Sequence, residues 1–402
     1  MPRSSSAWEG AEAMWISVAG WAEAAERKFG NAVVITSDRI AKPIEIRNYP
    51  LKLKKDKFLI ERKFFSFLPS FFKILFNDLL TWKQSLDWKI LDQLENKRDV
   101  AFVWEKHDLF HSPGYKLAKK LKVPLISYVH APVVWEARKW GVERYFWGNI
   151  LESHEASSLK KADFVAVVSP QVKIKLIEMG VDEKRIFISP MAVDPNLFKM
   201  RDFSDIIRDK ELLNLKDKFV IGWTGSFRSF HGINHLIRAF SEISKKYPSC
   251  ALLLVGDGLD RKNSEELVEE LQISDKVIFT GKKDFSEIPK YVSLFDVAVV
   301  SALSGEGFHY SPLKLREYLA AGKAVLAPNA GEIPLIFQNE KHLKLFEAGH
   351  VKSLKEGMEF YLNDDIKRKM IADSGNNFVL ETGTWKFELE KCLNFVSSYN
   401  EK

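Results

Sequence analysis

At 402 residues the chain is long enough for two ordinary domains, because single hydrophobic cores stop growing at about 250 to 300 residues. Its 46% hydrophobic and 28% charged residues match a globular protein, which excludes the disordered and fibrous classes. The net charge of +6 is modest, whereas a nucleic-acid binder usually concentrates more positive charge. We therefore expect no nucleic-acid partner.

The cysteines and the first residues bear on the cellular compartment. Cys250 and Cys392 lie far apart and lack metal-ligand spacing, which favours a reducing compartment and argues against zinc or a disulfide framework. Residues 1–6 lack the charged-then-apolar order of a signal peptide, and the apolar run 64–72 is interrupted by Pro69 and is too short to span a bilayer. The expected location is the cytoplasm, without a transmembrane helix.

After a loop-like first segment, a helix is predicted over residues 11–29, and short aliphatic runs then alternate with helical patterns. This alternation is typical of parallel sheets wrapped by helices. The first series of candidate strands is 32–36, 100–104, 125–129, 164–168 and 186–189. The second series is 219–223, 251–255, 277–280, 297–301 and 324–327. The pattern therefore predicts an α/β protein with two doubly wound domains.

The domain boundaries follow from a polar, charged stretch at 199–218, which is the predicted linker. The prediction is an N-terminal domain over 1–198, a C-terminal domain over 199–383, and a closing amphipathic helix within 384–402 that packs on the N-terminal domain. An open α/β domain normally begins with a central strand, and that first strand is missing from the pattern. Either the true start lies upstream or the domain tolerates an incomplete sheet.

The strongest local signal follows the first strand of the second domain. Residues 224–232 form a turn with Gly225 and Gly232, and a helix is predicted from Ile233. Free backbone N–H groups and the positive end of a helix dipole suit a diphosphate, and Arg228 and His231 would add charge. The alternative is an ordinary turn whose glycines serve geometry alone.

A second glycine-bearing loop, residues 304–310, leads into a helix predicted to run to residue 322. Ser311 is expected to cap this helix and Pro312 to be its first residue. Lys314 and Glu317 are three residues apart and so share a face. The Lys314 cation, near the helix start, could bind phosphate oxygens, and the Glu317 carboxylate one turn on could accept hydrogen bonds from both hydroxyls of a ribose. The alternative is that the two residues form a surface ion pair.

The segment SPLKLREYLAAGKAVLAPNAGEIPLIF, residues 311–337, resembles the donor-binding helix of glycosyltransferase family 4 (group 1), the retaining GT-B enzymes. Further similar parts are 162–169, 193–198, 225–232, 253–258 and 279–281. The resemblance implies two Rossmann-like domains with an interdomain cleft. It also implies a UDP- or GDP-sugar as co-substrate, no other cofactor, and a saccharide or lipid-linked acceptor.

By this resemblance Glu317 corresponds to the second glutamate of the family's paired motif, which holds the nucleotide ribose. The first glutamate, expected near the transferred sugar, falls on His309, so that role stays open between His309 and Glu306. Around these residues the predicted donor contacts are Thr280, Gly281, Tyr310, Ser311 and Leu313.

The family's phosphate-binding arginine and lysine are replaced here by Ser226 and His231. Arg228 and Lys314, helped by His231, are therefore predicted to neutralise the leaving diphosphate, and no metal is expected. The implied reaction is retaining transfer, in which the diphosphate deprotonates the acceptor hydroxyl on the same face of the sugar. The protein contributes orientation and electrostatic stabilisation.

In the first domain His130 follows the predicted strand 125–129, at the strand end where ligands of such sheets bind. It resembles the family histidine at the sugar site, the alternative being a strand-end histidine bonded to backbone. Gly10 resembles the family's first glycine-rich loop. His107 and His111 are candidates for the acceptor side.

Residues 58–88 are rich in phenylalanine, tryptophan and basic residues, which suits a membrane interface and a lipid-linked acceptor. The alternative is that these aromatics pack on the first domain's own sheet. Two other functions stay open: an inactive relative that acts as a binding partner, which the altered first glutamate motivates, and another enzyme on this fold, such as a nucleotide-sugar epimerase or a phosphorylase.

Overall fold

The computed structural model describes residues 12–47, 69–86, 88–94, 100–110, 112–305 and 307–400. The chain divides into two compact units: unit 1 comprises Met1–Pro190 and Glu388–Lys402, and unit 2 comprises Met191–Phe387. The predictions made for Gly10, His111 and Glu306 lie outside the described residues. Both units are α/β structures with a parallel sheet, which confirms the predicted fold class.

The predicted strand 32–36 is shorter than expected and does not join a parallel sheet. Only Val34–Ile35 (β1) is extended, and it pairs antiparallel with Ile40–Ala41 (β2). The Thr36 hydroxyl donates to the Asp38 carboxylate at 2.6 Å, and the Thr36 N–H donates to the Arg39 carbonyl at 3.0 Å. This turn reverses the chain immediately after β1, so a small hairpin forms instead.

Unit 1 is built on four parallel strands in chain order. They are Val103–Lys106 (β3), Leu125–Val129 (β4), Phe164–Val167 (β5) and Ile186–Ile188 (β6). Every residue of β4 and β5 is buried, because helices cover both faces of a parallel sheet. The described helices of this unit are Glu12–Phe29 (α1), Pro43–Arg47 (α2), Ser70–Gln84 (α3), Pro113–Leu121 (α4), Val133–Lys139 (α5), Tyr145–Leu159 (α6) and Pro170–Glu178 (α7).

Unit 2 contains six parallel strands in the order β12-β11-β10-β7-β8-β9. They are Phe219–Thr224 (β7), Cys250–Val255 (β8), Val277–Phe279 (β9), Val297–Val299 (β10), Ala324–Pro328 (β11) and Lys344–Phe346 (β12). The five predicted strands are confirmed. The edge strand β12 was not predicted, because only one of its three residues is buried and its sequence lacks an aliphatic run.

The helices of unit 2 surround this sheet. They are Phe203–Leu212 (α8), Ile233–Lys246 (α9), Arg261–Glu270 (α10), Ile288–Ser293 (α11), Leu313–Ala320 (α12), Ile333–Ile336 (α13), Val351–Asn363 (α14) and Asp365–Thr382 (α15). After β9 the chain returns to the other side of β7 to form β10, so strand order reverses between these neighbours. Open α/β sheets bind ligands at such a reversal, beyond the carboxyl ends of the strands.

The stretch predicted as a linker, 199–218, contains helix α8 and belongs to unit 2. Its Asp209 is buried and accepts from Arg201 at 2.8 Å and from Lys290 at 3.0 Å. Leu215 joins the hydrophobic core. The polar composition predicted a linker because, in the sequence alone, charged side chains that form buried ion pairs cannot be distinguished from charged side chains exposed to solvent.

The last helix, Trp385–Asn400 (α16), packs on the sheet of unit 1. The Ser189 hydroxyl donates to the Glu388 carboxylate at 2.7 Å. The centres of the Phe395 and Phe187 rings lie 4.9 Å apart. None of the helices in the described ranges combines the length and apolar character that crossing a membrane requires.

Candidate functional site

Most of the predicted donor residues follow the carboxyl ends of β7 and β10, on both sides of the reversal in strand order. Three backbone segments approach closely here. A Cβ on Gly256 would lie 1.8 Å from the Gly225 carbonyl oxygen, and one on Gly232 would lie 2.6 Å from the Ala302 carbonyl oxygen. Close packing therefore excludes a side chain at Gly256 and Gly232. Gly225 and Gly232 also have a positive φ, +144° and +61°, which favours glycine.

The turn after β7 leads into α9 at Ile233, as predicted. Arg228 is exposed on this turn, and Ser226 is half-buried. Burial, together with the nearby Lys314 and Arg228, holds the pKa of His231 well below its usual range. In the free protein we therefore expect a neutral imidazole there, which can hydrogen-bond to a ligand, in place of the added charge expected from the sequence.

Helix α12 begins at Leu313, and the expected capping by Ser311 is wrong. The Ser311 hydroxyl instead donates to Glu332 and accepts from the Met191 N–H at 3.0 Å and from the Arg316 guanidinium at 3.1 Å. Ser311 is itself buried. Its partners come from the tertiary structure, so the local rule for capping does not apply, and the prediction that Ser311 contacts a donor directly is not favoured.

Helix α12 is held at three places. Arg316 makes a bidentate ion pair with Glu332, at 2.9 and 3.0 Å, with both side chains buried. The Tyr318 hydroxyl accepts from the Thr224 N–H at 2.7 Å, which joins the helix to the end of β7. The Asn376 amide donates to the carbonyls of the last helical residues, at 2.8 and 2.9 Å. These contacts orient the helix face that carries Lys314 and Glu317.

Lys314 is not a surface lysine. Its Nζ atom is shielded from solvent, has no hydrogen-bond partner among the described residues, and lies 4.3 Å from the centre of the Trp223 ring. A Cβ on Gly225 would be 2.7 Å from this nitrogen. Burial lowers the pKa of Lys314 to about 7, opposed by the neighbouring Glu317. An ammonium group held over the glycine turn without a partner is suited to an anion.

Glu317 is 5% exposed and lies one turn after Lys314 on the same helix. Burial raises the pKa of Glu317 to about 8, with the charge of Lys314 opposing the shift. Within the described residues its carboxylate receives no hydrogen bond. Burial of both groups excludes the alternative that Lys314 and Glu317 form a surface ion pair. The Glu317 carboxylate lacks hydrogen-bond donors, and the two hydroxyls of a ribose can supply them.

The remaining predicted donor residues lie around this centre. Thr280 and Gly281 follow β9, where the Thr280 hydroxyl donates to the Gly281 carbonyl at 3.1 Å and Gly281 has φ +74°. Leu313 is half-buried at the start of α12. The centres of the Tyr310 and Phe308 rings lie 4.1 Å apart. Burial raises the pKa of the Tyr310 hydroxyl.

His309, which occupies the expected place of the first glutamate, is fully buried. Its Nδ1 atom donates to the Gly307 carbonyl at 2.8 Å. This contact orders the loop after β10 from within. Its role toward a sugar stays a prediction, as does that of Glu306.

The two histidines of unit 1 that were predicted for the site and are described by the structure differ in their surroundings. His130 Nε2 is shielded from solvent and has no hydrogen-bond partner among the described residues, while burial and Lys106 hold its pKa well below the usual range. His107 is buried, and its Nε2 lies 2.7 Å from Glu155, which also accepts from the Val133 N–H at 2.6 Å. His107 therefore has a structural partner, which weakens its assignment to the acceptor side, whereas His130 retains an unused ring nitrogen.

Two residues at the same strand ends were not predicted as part of the site. Trp223 lies beneath Lys314 and Gly225, and Ser301 follows β10 with a buried hydroxyl that has no partner in the described part of the chain. Both belonged to predicted strands. The sequence signal that could have identified them is their position at the carboxyl ends of β7 and β10, the two strands between which strand order reverses.

The described residues contain no group of three or more histidine, cysteine, aspartate or glutamate side chains arranged to hold a metal ion.

Two protein families match the chain. A model of "Glycosyl transferases group 1" matches residues 204–378, and a model of "Glycosyltransferase Family 4" matches residues 54–197. Relatives include an uncharacterised glycosyltransferase of Methanocaldococcus jannaschii, 25% identical over 56% of this chain and 56% of its own. Another is the N-acetyl-alpha-D-glucosaminyl L-malate synthase of Bacillus anthracis, 24% identical over 59% of this chain and 58% of its own.

The alignments span between 46% and 60% of the length of the first three curated relatives. Among solved structures, Anabaena HepE in complex with UDP is similar with a TM-score of 0.63 and 18% identity, over 77% of this chain and 81% of HepE. Sucrose-phosphate synthase of Thermosynechococcus elongatus is similar with a TM-score of 0.61 and 19% identity, over 80% of this chain and 79% of its own. At these identities the likeness concerns the fold.

The match over 54–197 lies mostly in unit 1, the match over 204–378 lies within unit 2, and together they cover more than three quarters of the chain. The folds of the structural neighbours agree with them. The chain therefore belongs to the group 1 glycosyltransferases and has their GT-B fold of two parallel-sheet α/β units.

Proposed function

We propose that this protein transfers a hexose from a nucleotide-sugar donor, a UDP- or GDP-sugar, to a saccharide or lipid-linked acceptor with retention of configuration. The observation that carries the proposal is the pair on α12: a buried ammonium group without a partner over Gly225, and a buried carboxylate one turn on. In this assignment Lys314, above the glycine turn, binds the diphosphate, and Glu317 accepts hydrogen bonds from the ribose hydroxyls.

The proposed reaction requires no nucleophile from the protein. The bond between the anomeric carbon and the diphosphate oxygen breaks, a bond to the acceptor oxygen forms on the same face, and the acceptor proton passes to the departing diphosphate. Lys314 stabilises the negative charge that develops on that leaving group, because a preorganised cation in a site shielded from water acts strongly. His130, with its unused nitrogen, is proposed to bind the transferred sugar.

The first test is thermal stabilisation of the full chain by nucleoside diphosphates and their sugars, which needs no acceptor. A ligand that binds only the native state raises the midpoint, by about 2.7 kcal/mol of stability at a hundredfold excess over Kd. We expect a shift with one base and its sugars. If no nucleotide shifts the midpoint, the proposed donor site is contradicted, and the alternative of a binding partner without transferase activity is favoured.

Retention has its own readout. Retaining enzymes hydrolyse their donor slowly when water replaces the acceptor, and nuclear magnetic resonance distinguishes the anomer released first. We expect the anomer of the donor itself. Nucleotide binding without any hydrolysis or transfer would instead support the inactive relative, and a changed sugar epimer would support an epimerase.

We further propose that transfer is independent of metal, because Lys314 and Arg228 supply the positive charge at the diphosphate. The expected result is that initial rates after removal of divalent cations with EDTA stay within about twofold of those with Mg²⁺, since the local charge comes from fixed groups. Loss of activity on chelation that returns with Mg²⁺ or Mn²⁺ would contradict this assignment.

A lipid-linked acceptor and a place at the cytoplasmic face of the membrane are supported by the surface of α3. Phe72, Leu79 and Trp82 lie on one face of this helix and are 52%, 53% and 52% exposed. Lys83 is exposed beside them. Monomeric proteins rarely leave such an apolar stripe uncovered, and an apolar face next to cations suits an interface of anionic lipids. Part of the predicted stretch, 58–68, lies outside the described residues.

Replacing Trp82 and Phe72 by serine is expected to weaken cosedimentation with vesicles that contain phosphatidylglycerol by about tenfold or more, because each aromatic side chain loses its burial in the interface. The matched control is Phe203→Ser, a change at a side chain that is 77% exposed on unit 2. Equal binding of all variants, or no preference for phosphatidylglycerol over phosphatidylcholine, would contradict the membrane assignment.

A further inference from the structure

The site contains an aromatic residue to which the proposed chemistry assigns no part. Trp223, near the end of β7, is fully buried beneath the glycine turn. A Cβ on Gly225 would lie 3.3 Å from two atoms of its indole ring. The ring thus forms the floor of the turn on which the diphosphate is proposed to bind.

The Lys314 ammonium group lies against the face of this indole, 4.3 Å from the ring centre. The same nitrogen is 2.7 Å from where a Gly225 Cβ would be, and it has no hydrogen-bond partner among the described residues. One side of the cation is therefore occupied by the π system. Its N–H donors remain available to an anion over the turn.

His231 packs against the same residue: the centres of the His231 and Trp223 rings lie 5.8 Å apart, and their planes meet at 72°. The charged and titratable groups that act on Lys314 or His231 are Glu317, from α12, and Arg228, from the turn. Lys314 and His231 therefore both lie against one indole, although they come from different segments of the chain.

We propose that Trp223 is the positioning residue of the diphosphate site, whose indole face holds the Lys314 ammonium group over Gly225. The inference rests on the proposed function and adds to it a residue that touches the cation and not the substrate. A cation–π contact gains strength where water is excluded. Holding a flexible lysine in its binding position before the ligand arrives reduces the entropy lost on binding.

The test compares affinities for a nucleoside diphosphate and for the matching nucleoside, measured by calorimetry on the full chain. Trp223→Leu is expected to lower diphosphate affinity by about tenfold and to leave nucleoside affinity within about twofold. Trp223→Phe keeps an aromatic face and is expected to restore most of the loss. Thermal midpoints of each variant report whether it folds.

A double-mutant cycle with Lys314→Met separates positioning from general damage. If Trp223 acts through Lys314, the Trp223→Leu change causes no further loss of diphosphate affinity in the Lys314→Met background. Should Trp223→Leu fail to fold, the cycle is run with Trp223→Phe, for which a smaller loss of about threefold is expected to vanish in the same background. Losses that simply multiply would overturn the inference.

The remaining outcomes are also decisive. If the wild type binds nucleoside diphosphate and Trp223→Leu leaves the ratio of diphosphate to nucleoside affinity unchanged, the inference falls while the proposed function stands. An equal loss of both affinities would likewise show a structural role only. If the wild type binds neither nucleoside diphosphate nor inorganic pyrophosphate, the inference and the proposed function fall together.

Discussion

Glu317→Gln is expected to lower the affinity for the nucleoside diphosphate by about a hundredfold. The free protein holds Glu317 protonated near neutral pH, but two ribose hydroxyls that donate to it favour its charged form in the complex, and an amide accepts weaker hydrogen bonds. Transfer activity is expected to fall at least as far. Affinity for inorganic pyrophosphate should change little, since the glutamine leaves Lys314 over the turn. Calorimetry with both ligands measures the two effects separately.

The same substitution carries its own control for folding. Burial raises the pKa of Glu317 from 4.5 to about 8, so the folded protein retains a proton that the unfolded chain releases above about pH 4.5. The folded state binds more protons in this window, and the residue therefore lowers stability as pH rises from 4.5 to 8. Glutamine removes this penalty, so the variant should be more stable than the wild type at pH 9.

Two outcomes would contradict this view of Glu317. Unchanged nucleotide affinity in a folded variant would show that the carboxylate does not contact the ribose. A midpoint at pH 9 that falls below that of the wild type would show that the buried carboxylate is instead a stabilising part of the helix. The matched control is Glu340→Gln, because Glu340 is a surface acid of the same unit paired with Lys344 and Lys367.

Arg316→Met is expected to destabilise the protein by about 3 to 5 kcal/mol, because removing one partner of a buried ion pair leaves the other charge uncompensated. Both side chains are nearly inaccessible, with 3% of Arg316 and 1% of Glu332 exposed. Apart from Arg316, the Ser311 hydroxyl is the donor that reaches Glu332 among the described residues. The thermal midpoint of the transition of unit 2 measures the effect.

The double variant Arg316→Met with Glu332→Met distinguishes a lost charge pair from lost packing. Since two apolar side chains of similar volume leave no uncompensated charge, most of the lost stability should return. Nucleotide affinity of this double variant reports whether the ion pair also orients α12. A single variant as stable as the wild type would show that Glu332 takes another partner, and a double variant no better than the single one would show that packing dominates.

Most of the fold was predictable because its signals are local. The runs at 125–129 and 219–223 are uncharged and mostly apolar, as expected of strands buried on both faces, and both are strands in the structure. The hairpin at Val34 and the helix within 199–218 were not predicted. Each depends on side-chain contacts, such as those of Thr36 with Asp38 and of Asp209 with Arg201.

By itself the sequence determined the two α/β units, the glycine turn after β7, the helix that carries Lys314 and Glu317, and the resemblance to a glycosyltransferase family. These follow from periodicity and short motifs, which act within a few residues along the chain. Only the tertiary structure decided that Ser311 belongs to an internal network, that His107 is paired with Glu155, and that Trp223 lies beneath Lys314. The reason is physical: burial and partners from distant segments set the charge and hydrogen bonding of a side chain, and sequence spacing carries neither.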